Sequence, residues 1–354
     1  MSRFGKMYRP ILIGIALLIL WSGCAFKRPQ QQTVSCPDIA TAGRLNVLTL
    51  NLLYDMAASA RQQTWSDIAQ FAVAHNVHVL LLQEAVLSDV DRIQKLLGTS
   101  DSARDLQRVL NERSSEPYEL RVAWETGVPL VLTTANAILS RCDVTRHFQA
   151  FLPIESEEAF EGVDLKITRN VQVAQLSLPG YGTLHVYNTH LCAACSAESL
   201  NRQVEAVLAF VEQVEGKSAG NHVILGGDLN LDRAKGESEQ AVYEAITRAG
   251  FRDVYAEYRT TTFGDARDAF CWNGRPDIHC TDGVSPTQGL IDQKTGAAFS
   301  RPTRIDYLFL RGFDTVRLSR VVFNPGNTKT GPVNPSESAV SDHSGVFAEI
   351  MLQK

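Results

Sequence analysis

Six short apolar runs in this chain border residues that could bind a cation or move a proton. Asn51 follows Val47-Leu48-Thr49-Leu50, Glu84 follows Leu80-Leu81-Leu82-Gln83, and His190 closes Val186-Tyr187-Asn188-Thr189. Asp228 and Asn230 follow Val223-Ile224-Leu225-Gly226-Gly227, Asp306 sits in Arg304-Ile305-Asp306-Tyr307, and Asp342-His343 precede the last apolar run. Carboxylate and amide oxygens are ligands for hard cations, and imidazole carries protons near neutral pH. One such residue is ordinary capping of a strand. Six places dominated by Asp, Asn, Glu and His point instead to polar groups converging on one rim of a sheet.

The apolar runs are the elements that would position them. Residues 45–53 and 77–83 read as buried strands, followed by strands at 118–124, 130–140, 144–150, 166–178 and 183–190, with Tyr181-Gly182 as a tight turn. Residues 66–75, 86–98, 103–113 and 241–249 read as helices. Residues 196–214 form the strongest one, since Leu200, Val204, Val207, Leu208 and Val211 share a face. Strands at 222–226, 304–310, 315–323 and 346–351 complete the set. Residues 259–301 lack periodicity, and so long a loop in a compact domain is functional or disordered. With no repeat and no boundary after residue 43, one α/β domain with its strands in two sheets is expected.

The start of the chain reads as an address. Arg3, Lys6 and Arg9 precede an apolar run from Ile11 to Trp21, then Ser22, Gly23 and Cys24. A basic start, a short apolar core and small residues describe a signal peptide, and the run falls short of the about 20 residues a membrane span needs. Ser-Gly-Cys resembles the lipobox of bacterial lipoproteins, with Cys24 as the lipidated residue, although Trp21 stands where Leu is usual. A plain secreted protein and an uncleaved anchor are the alternatives. Residues 1–24 are thus expected to be a signal peptide, 25–43 a polar tether and 44–354 the domain. The protein would be exported and membrane-anchored, or otherwise periplasmic or secreted. Six cysteines then remain: Cys36, Cys142, Cys192, Cys195, Cys271 and Cys280. An even number in an exported chain suggests disulfides, but sequence does not choose the pairing. Cys192 and Cys195 form a CxxC that favours neither a redox pair nor a zinc half-site, and Cys271 with Cys280 is a plausible local pair.

A net charge of −5, with no Lys/Arg run after the first thirty residues, argues against a broad nucleic-acid face. It does not exclude a nuclease, because a cation can hold a single phosphate.

The words LNLLYD (50–55), LLLQEA (80–85), YNTHL (187–191), GGDLNLD (226–232), RIDYLFL (304–310) and SDHSGV (341–346) resemble, in order and spacing, the motifs of the endonuclease/exonuclease/phosphatase superfamily. The resemblance runs from about residue 45 to 350. It implies a four-layer αββα sandwich, two mixed β-sheets packed face to face with helices outside, and a site at one end of the sheets. It also implies a Mg²⁺- (or Mn²⁺-) dependent phosphoric diester hydrolase. Glu84, Asn51 through its amide oxygen, and Asp342 are then expected at the cation. His343, held by Asp306, would act as base or electrostatic stabiliser. Asp228 would orient water, Asn230 would donate to a phosphoryl oxygen, and His190 would be the second imidazole. His75, His78, His147, His185, His222 and His279 have no motif support and read as structural or surface residues.

Within the superfamily, Asn188 to Ala193, then Arg202 and Gln203, look most like neutral sphingomyelinases. The sequence lacks the Trp and Tyr that flank GDxN in inositol polyphosphate phosphatases, and the extension of apurinic endonucleases. Asn136 to Arg141 also matches a general family word, with Ala135 where Gly is usual. Gly345, where Pro is usual, should alter a loop. Phe263, Phe270, Trp272 and Phe299 in the 259–301 loop could enter a bilayer interface or pack on the domain. A phospholipid substrate is thus favoured over nucleic acid, with a DNA/RNA endonuclease as the alternative. A catalytically silent binding module would lack metal or histidine positions, and none is missing. No protein partner is implied.

Overall fold

The computed structural model describes residues 36–52, 58–87, 101–128, 132–154, 157–160, 163–166, 168–193, 195–216, 222–263, 304–313, 315–323, 340–341 and 343–352. The strands that read as continuous apolar runs are buried on both faces, and their side chains alternate between two cores. In β1 (Arg44–Asn51) and β2 (Val79–Leu87), Leu45, Val47, Val79 and Leu81 point into a central core. Leu48, Leu50, Leu80 and Leu82 point outward, against Ile68 and Phe71 of helix α1 (Ala58–Ala74) and Leu106 and Leu110 of α2 (Ser102–Arg113). The other half repeats the scheme. Ala174 and Leu176 of β8 (Asn170–Leu178), Val186 of β9 (Gly182–His190) and Ile224 of β10 (His222–Asp228) enter the same central core. Val173, Val223 and Leu225 face helices α3 (Ala197–Glu215) and α4 (Glu237–Arg248).

Three cores between four layers make the expected αββα sandwich. Strands β3 (Glu119–Val128) and β4 (Leu132–Ser140), with β13 (Thr315–Val322) and β14 (Gly345–Met351), complete the first sheet in the order β13-β14-β1-β2-β4-β3. Strands β5 (Val144–Phe151), β11 (Arg252–Asp253) and β12 (Asp306–Arg311) complete the second, ordered β11-β12-β10-β9-β8-β5. Both sheets are mixed. β1 pairs parallel with β2 and β9 with β10, and the other pairs are antiparallel. A short hairpin, β6 (Glu157–Phe160) and β7 (Val163–Lys166), stands apart.

Four expectations change. Residues 36–43, expected as tether, belong to the folded body: Cys36 is buried in a disulfide with Cys142, and the helix Pro37–Ala42 buries Ile39 in the central core. Asp38 on that helix receives hydrogen bonds from Asn76 and Arg141 and lies 3.0 Å from His78 Nε2. The His78 bond is the main reason its carboxyl lies well below the usual carboxylate range. The last eight residues of the expected tether are therefore part of the folded body. Val86 and Leu87 belong to β2 rather than to a helix, and residues 88–98 lie outside the described residues. A helix, Val254–Phe263, occupies the start of the expected 259–301 loop, while Phe270, Trp272 and Phe299 lie outside the described residues. Gly345 opens β14 instead of lying in a loop. A Cβ there would meet Thr49 O at 3.1 Å, so the sheet itself crowds this position.

Candidate active site

Strand β10 is the spine of the site. Its register sets Asp228 beside His190 of β9 on one side and beside Asp306 of β12 on the other. The two glycines before Asp228 allow this closeness. At Gly227, with φ 137°, a Cβ would lie 1.9 Å from Thr189 O; at Gly226 it would strike Leu81 of the opposite sheet at 2.6 Å. Past the strand, Asn230 takes a positive φ of 49° and donates its backbone N–H to Asp228 Oδ1 at 2.9 Å.

The first sheet contributes from across the gap. Between Leu82 and Ala85, β2 advances three residues while β4 advances two, so one extra residue is accommodated as a bulge. Glu84 sits in this bulge at φ 52°, a left-handed conformation uncommon for a residue other than glycine. Gln83 then points into the interior, donating to Asn188 Oδ1 at 2.7 Å and Thr49 Oγ1 at 3.2 Å, while Glu84 stays half-buried at the rim. Asn51, fully buried, donates through Nδ2 to Glu84 Oε1 and to Asp228 Oδ2, each at 3.0 Å. One amide thus joins the ends of the two sheets. Its amide nitrogen faces these two carboxylates, because a carboxylate can only accept, and the amide oxygen is the other end of the same group.

Two imidazoles flank Asp228 Oδ2, His190 Nε2 at 3.6 Å and His343 Nε2 at 3.8 Å. Each is held from behind. His343 Nδ1 lies 3.0 Å from Asp306 Oδ2. His190 Nδ1 lies 2.9 Å from Arg169 Nη1 and 3.6 Å from Glu125 Oε2. A guanidinium only donates, so Nδ1 of His190 accepts and its proton sits on Nε2, facing the site. Glu125 is fully buried; burial opposes its charge, but the neighbouring Arg169 guanidinium, helped by the Asn136 amide, outweighs it and holds the carboxyl below its ordinary value. Asn136 donates to Glu125 Oε1 at 3.1 Å and to Asn170 Oδ1 at 3.0 Å.

Asn51, Glu84, His190, Asp228, Asp306 and His343 therefore share one rim. Asn230 lies beside them with one amide hydrogen committed to Leu191 O at 2.9 Å. Asp342, Cys24 and His279 lie outside the described residues. The remaining histidines sit elsewhere: His75 against Phe71, His78 on Asp38, His147 on Gln172, His185 on Glu215 and His222 against Phe313. Glu125, Arg169 and Asn170 were missed. Glu125 obeys the polar-after-apolar pattern that found the others, following Val122-Ala123-Trp124. Asn170 begins β8 and Arg169 directly precedes it, and because β8 runs antiparallel to β9 its start comes to the same rim.

The donor set fits a divalent cation. Asp228, Asp306 and His343 offer ligand atoms within 4.8 Å of one another, and Glu84 shares its amide donor with Asp228. Acid oxygens crowded on a largely buried rim repel one another, and a hard cation relieves that repulsion.

This architecture, a four-layer sandwich with carboxylates, an amide and two braced imidazoles at the sheet ends, defines a class of α/β hydrolytic site. The profile of the endonuclease/exonuclease/phosphatase family matches residues 48–343, and the chain belongs to that family, whose members are phosphoesterases that typically use a divalent metal. No curated protein matches it significantly in sequence. Solved structures share the fold. A family protein from Leptotrichia buccalis is 19% identical over 86% of this chain and 99% of its own, with a TM-score of 0.58. A truncated TDP2 from Caenorhabditis elegans is 18% identical over 87% and 97%, with a TM-score of 0.54. A mannosyl-6-phosphatase from Bacteroides thetaiotaomicron is 17% identical over 86% and 99%, with a TM-score of 0.55.

Proposed function

We propose that this protein is an exported, Mg²⁺-dependent phosphodiesterase that hydrolyses a phospholipid of the sphingomyelin type by in-line attack of water. The observation that carries the reading is Asp228, set between two imidazoles that are each braced from behind and tied by Asn51 to Glu84. Glu84, the Asn51 amide oxygen and Asp342 would hold the cation beside the Asp228, Asp306 and His343 cluster, whose crowded acid oxygens its charge would offset, and it would supply charge neutralisation on the phosphoryl oxygens. Asp228 orients the attacking water. His343, its tautomer held by Asp306, takes the proton or stabilises the charge that develops. His190 presents its Nε2–H to the phosphate or the leaving group, and Asn230 keeps one amide hydrogen to donate.

The lipid preference rests on the sequence around His190 and on the N-terminal run from Ile11 to Cys24, which would tether the enzyme to a membrane. The test compares sphingomyelin vesicles, plasmid DNA and mannose 6-phosphate, each with Mg²⁺ and with EDTA. Mg²⁺-dependent release of phosphocholine alone is expected. DNA nicking alone would move the substrate to nucleic acid, and phosphate release from the sugar alone would move the enzyme to monoesters. The N-terminal reading predicts a shortened, lipid-modified protein in the membrane fraction; a full-mass cytoplasmic protein would refute it.

A further inference from the structure

Two segments leave the site side by side, and one buried side chain touches both. The end of β10 and the loop after it carry Asp228 and Asn230; the start of β12 carries Asp306. Tyr307 is paired in register with Gly227, and its hydroxyl lies 2.9 Å from Leu231 O on the first segment and 3.0 Å from Arg304 O on the second. A single phenolic hydrogen is thus shared between the two carbonyls. The ring is fully buried, stacked on Phe309 at 5.4 Å, with the Arg304 guanidinium 4.4 Å above it. Arg304 in turn makes a two-pronged ion pair with Asp253, at 2.7 and 2.8 Å. Leu229 N donates to Ile305 O at 2.8 Å, adding a second cross-tie between the same two segments.

We infer that Tyr307 is a positioning residue, its hydroxyl setting the spacing between the segment of Asp228 and Asn230 and the segment of Asp306 that holds His343. It touches no reacting group. This inference rests on the phosphodiesterase reading above. Phenylalanine at this position keeps the stack and the ring volume but frees both carbonyls, so the ground-state site stays formed while its two halves lose their common reference.

The test is Tyr307→Phe against Tyr118→Phe. Tyr118 is buried and also donates to a backbone carbonyl, that of Val77, but touches neither segment. Both are assayed with bis-p-nitrophenyl phosphate and Mg²⁺, with thermal unfolding measured alongside. Tyr307→Phe should lose about tenfold in kcat, the loss expected when a transition-state contact is slightly misplaced, with KM within twofold. Tyr118→Phe should lose comparable stability and keep its kcat. A Tyr307→Phe enzyme within twofold of wild-type kcat overturns the inference, as does an equal kcat loss in Tyr118→Phe. No turnover by wild type on this diester or on any arm of the substrate test would instead overturn the reading beneath it.

Discussion

Replacing Gly227 by alanine tests the closeness of β9 and β10 on which the site depends. The added Cβ would lie 1.9 Å from Thr189 O, where real Cβ contacts essentially never fall below 3.0 Å, so something must yield by at least 3.0 − 1.9 = 1.1 Å. Nothing flexible is available to yield. The obstructing atoms are Thr189 O, C and N, all backbone, and the φ of 137° is one that an L side chain rarely adopts. The strand that must move carries His190 as its next residue, and the strand that pushes it carries Asp228. A misplacement of roughly 1 Å can cost on the order of a hundredfold in rate. We therefore expect Gly227→Ala to lower kcat about a hundredfold and to destabilise the fold by about 2 kcal/mol or more. Gly226→Ala is the matched control. Its Cβ would meet the ends of Leu81 and Leu308 at 2.6 and 2.7 Å, side chains that can repack, and backbone only at Tyr307 O, 3.2 Å away, where a few tenths of an ångström suffice; stability should fall with far less loss of kcat than in Gly227→Ala. Steady-state kinetics on purified protein, with urea unfolding of each variant, read both effects. Gly227→Ala with wild-type kcat and midpoint would refute the reasoning, and so would Gly226→Ala if it proved the more damaging to kcat.

Other expectations are simpler to read. Glu84→Gln should abolish Mg²⁺-stimulated turnover while shifting Tm by only about 2 °C, since the amide preserves shape at a half-exposed position; retained stimulation would remove Glu84 from the cation. Cys192 and Cys195 of the CxxC are also joined by a disulfide, which spans only three residues. Opening the Cys36–Cys142 bridge with paired serines releases a loop of 106 residues, for which chain entropy gives about 5 kcal/mol, against about 2 kcal/mol for Cys192–Cys195. Urea midpoints with free-thiol counts check the order, and an equal or reversed loss would count against it. The lowered carboxyl of Glu125 stabilises the fold above its unfolded value near 4.5, and that contribution disappears as pH falls through the folded value. Glu125→Gln, which leaves Arg169 buried without its charge partner, should be less stable than wild type at pH 7 by about 3 to 5 kcal/mol. The gap should narrow as pH falls from 4.5 through the lowered folded value; a pH-independent gap would show that the ion pair is not its source.

Much of this protein was legible in its residues. Strand positions followed from apolar runs, the helix at 197–215 from its spacing, and the six residues Asn51, Glu84, His190, Asp228, Asp306 and His343 of the rim from polar groups beside apolar runs. Other features could not be read so. Cys36 looked like tether because nothing local distinguishes it from a free thiol; only Cys142, arriving from the far end of another strand, makes it part of the core. Gln83 and Asn188 sit inside the same motif words as Glu84 and His190, yet they bond to each other across the sheets instead of facing the site. Which neighbour points where was decided by a one-residue bulge, and a bulge exists only in the pairing of two strands. Arg169 and Asn170 escaped because they stand at the entry of a strand, and only antiparallel pairing brings an entry to the rim where other strands end. The sequence by itself determined which side chains were available and what period each segment would follow, because propensity and patterning act over a few residues. Register, bulge and the gap between sheets decided which of those side chains meet, because they depend on contacts between segments distant in the chain, 228 − 190 = 38 residues for His190 and Asp228 and 177 for Asn51 and Asp228.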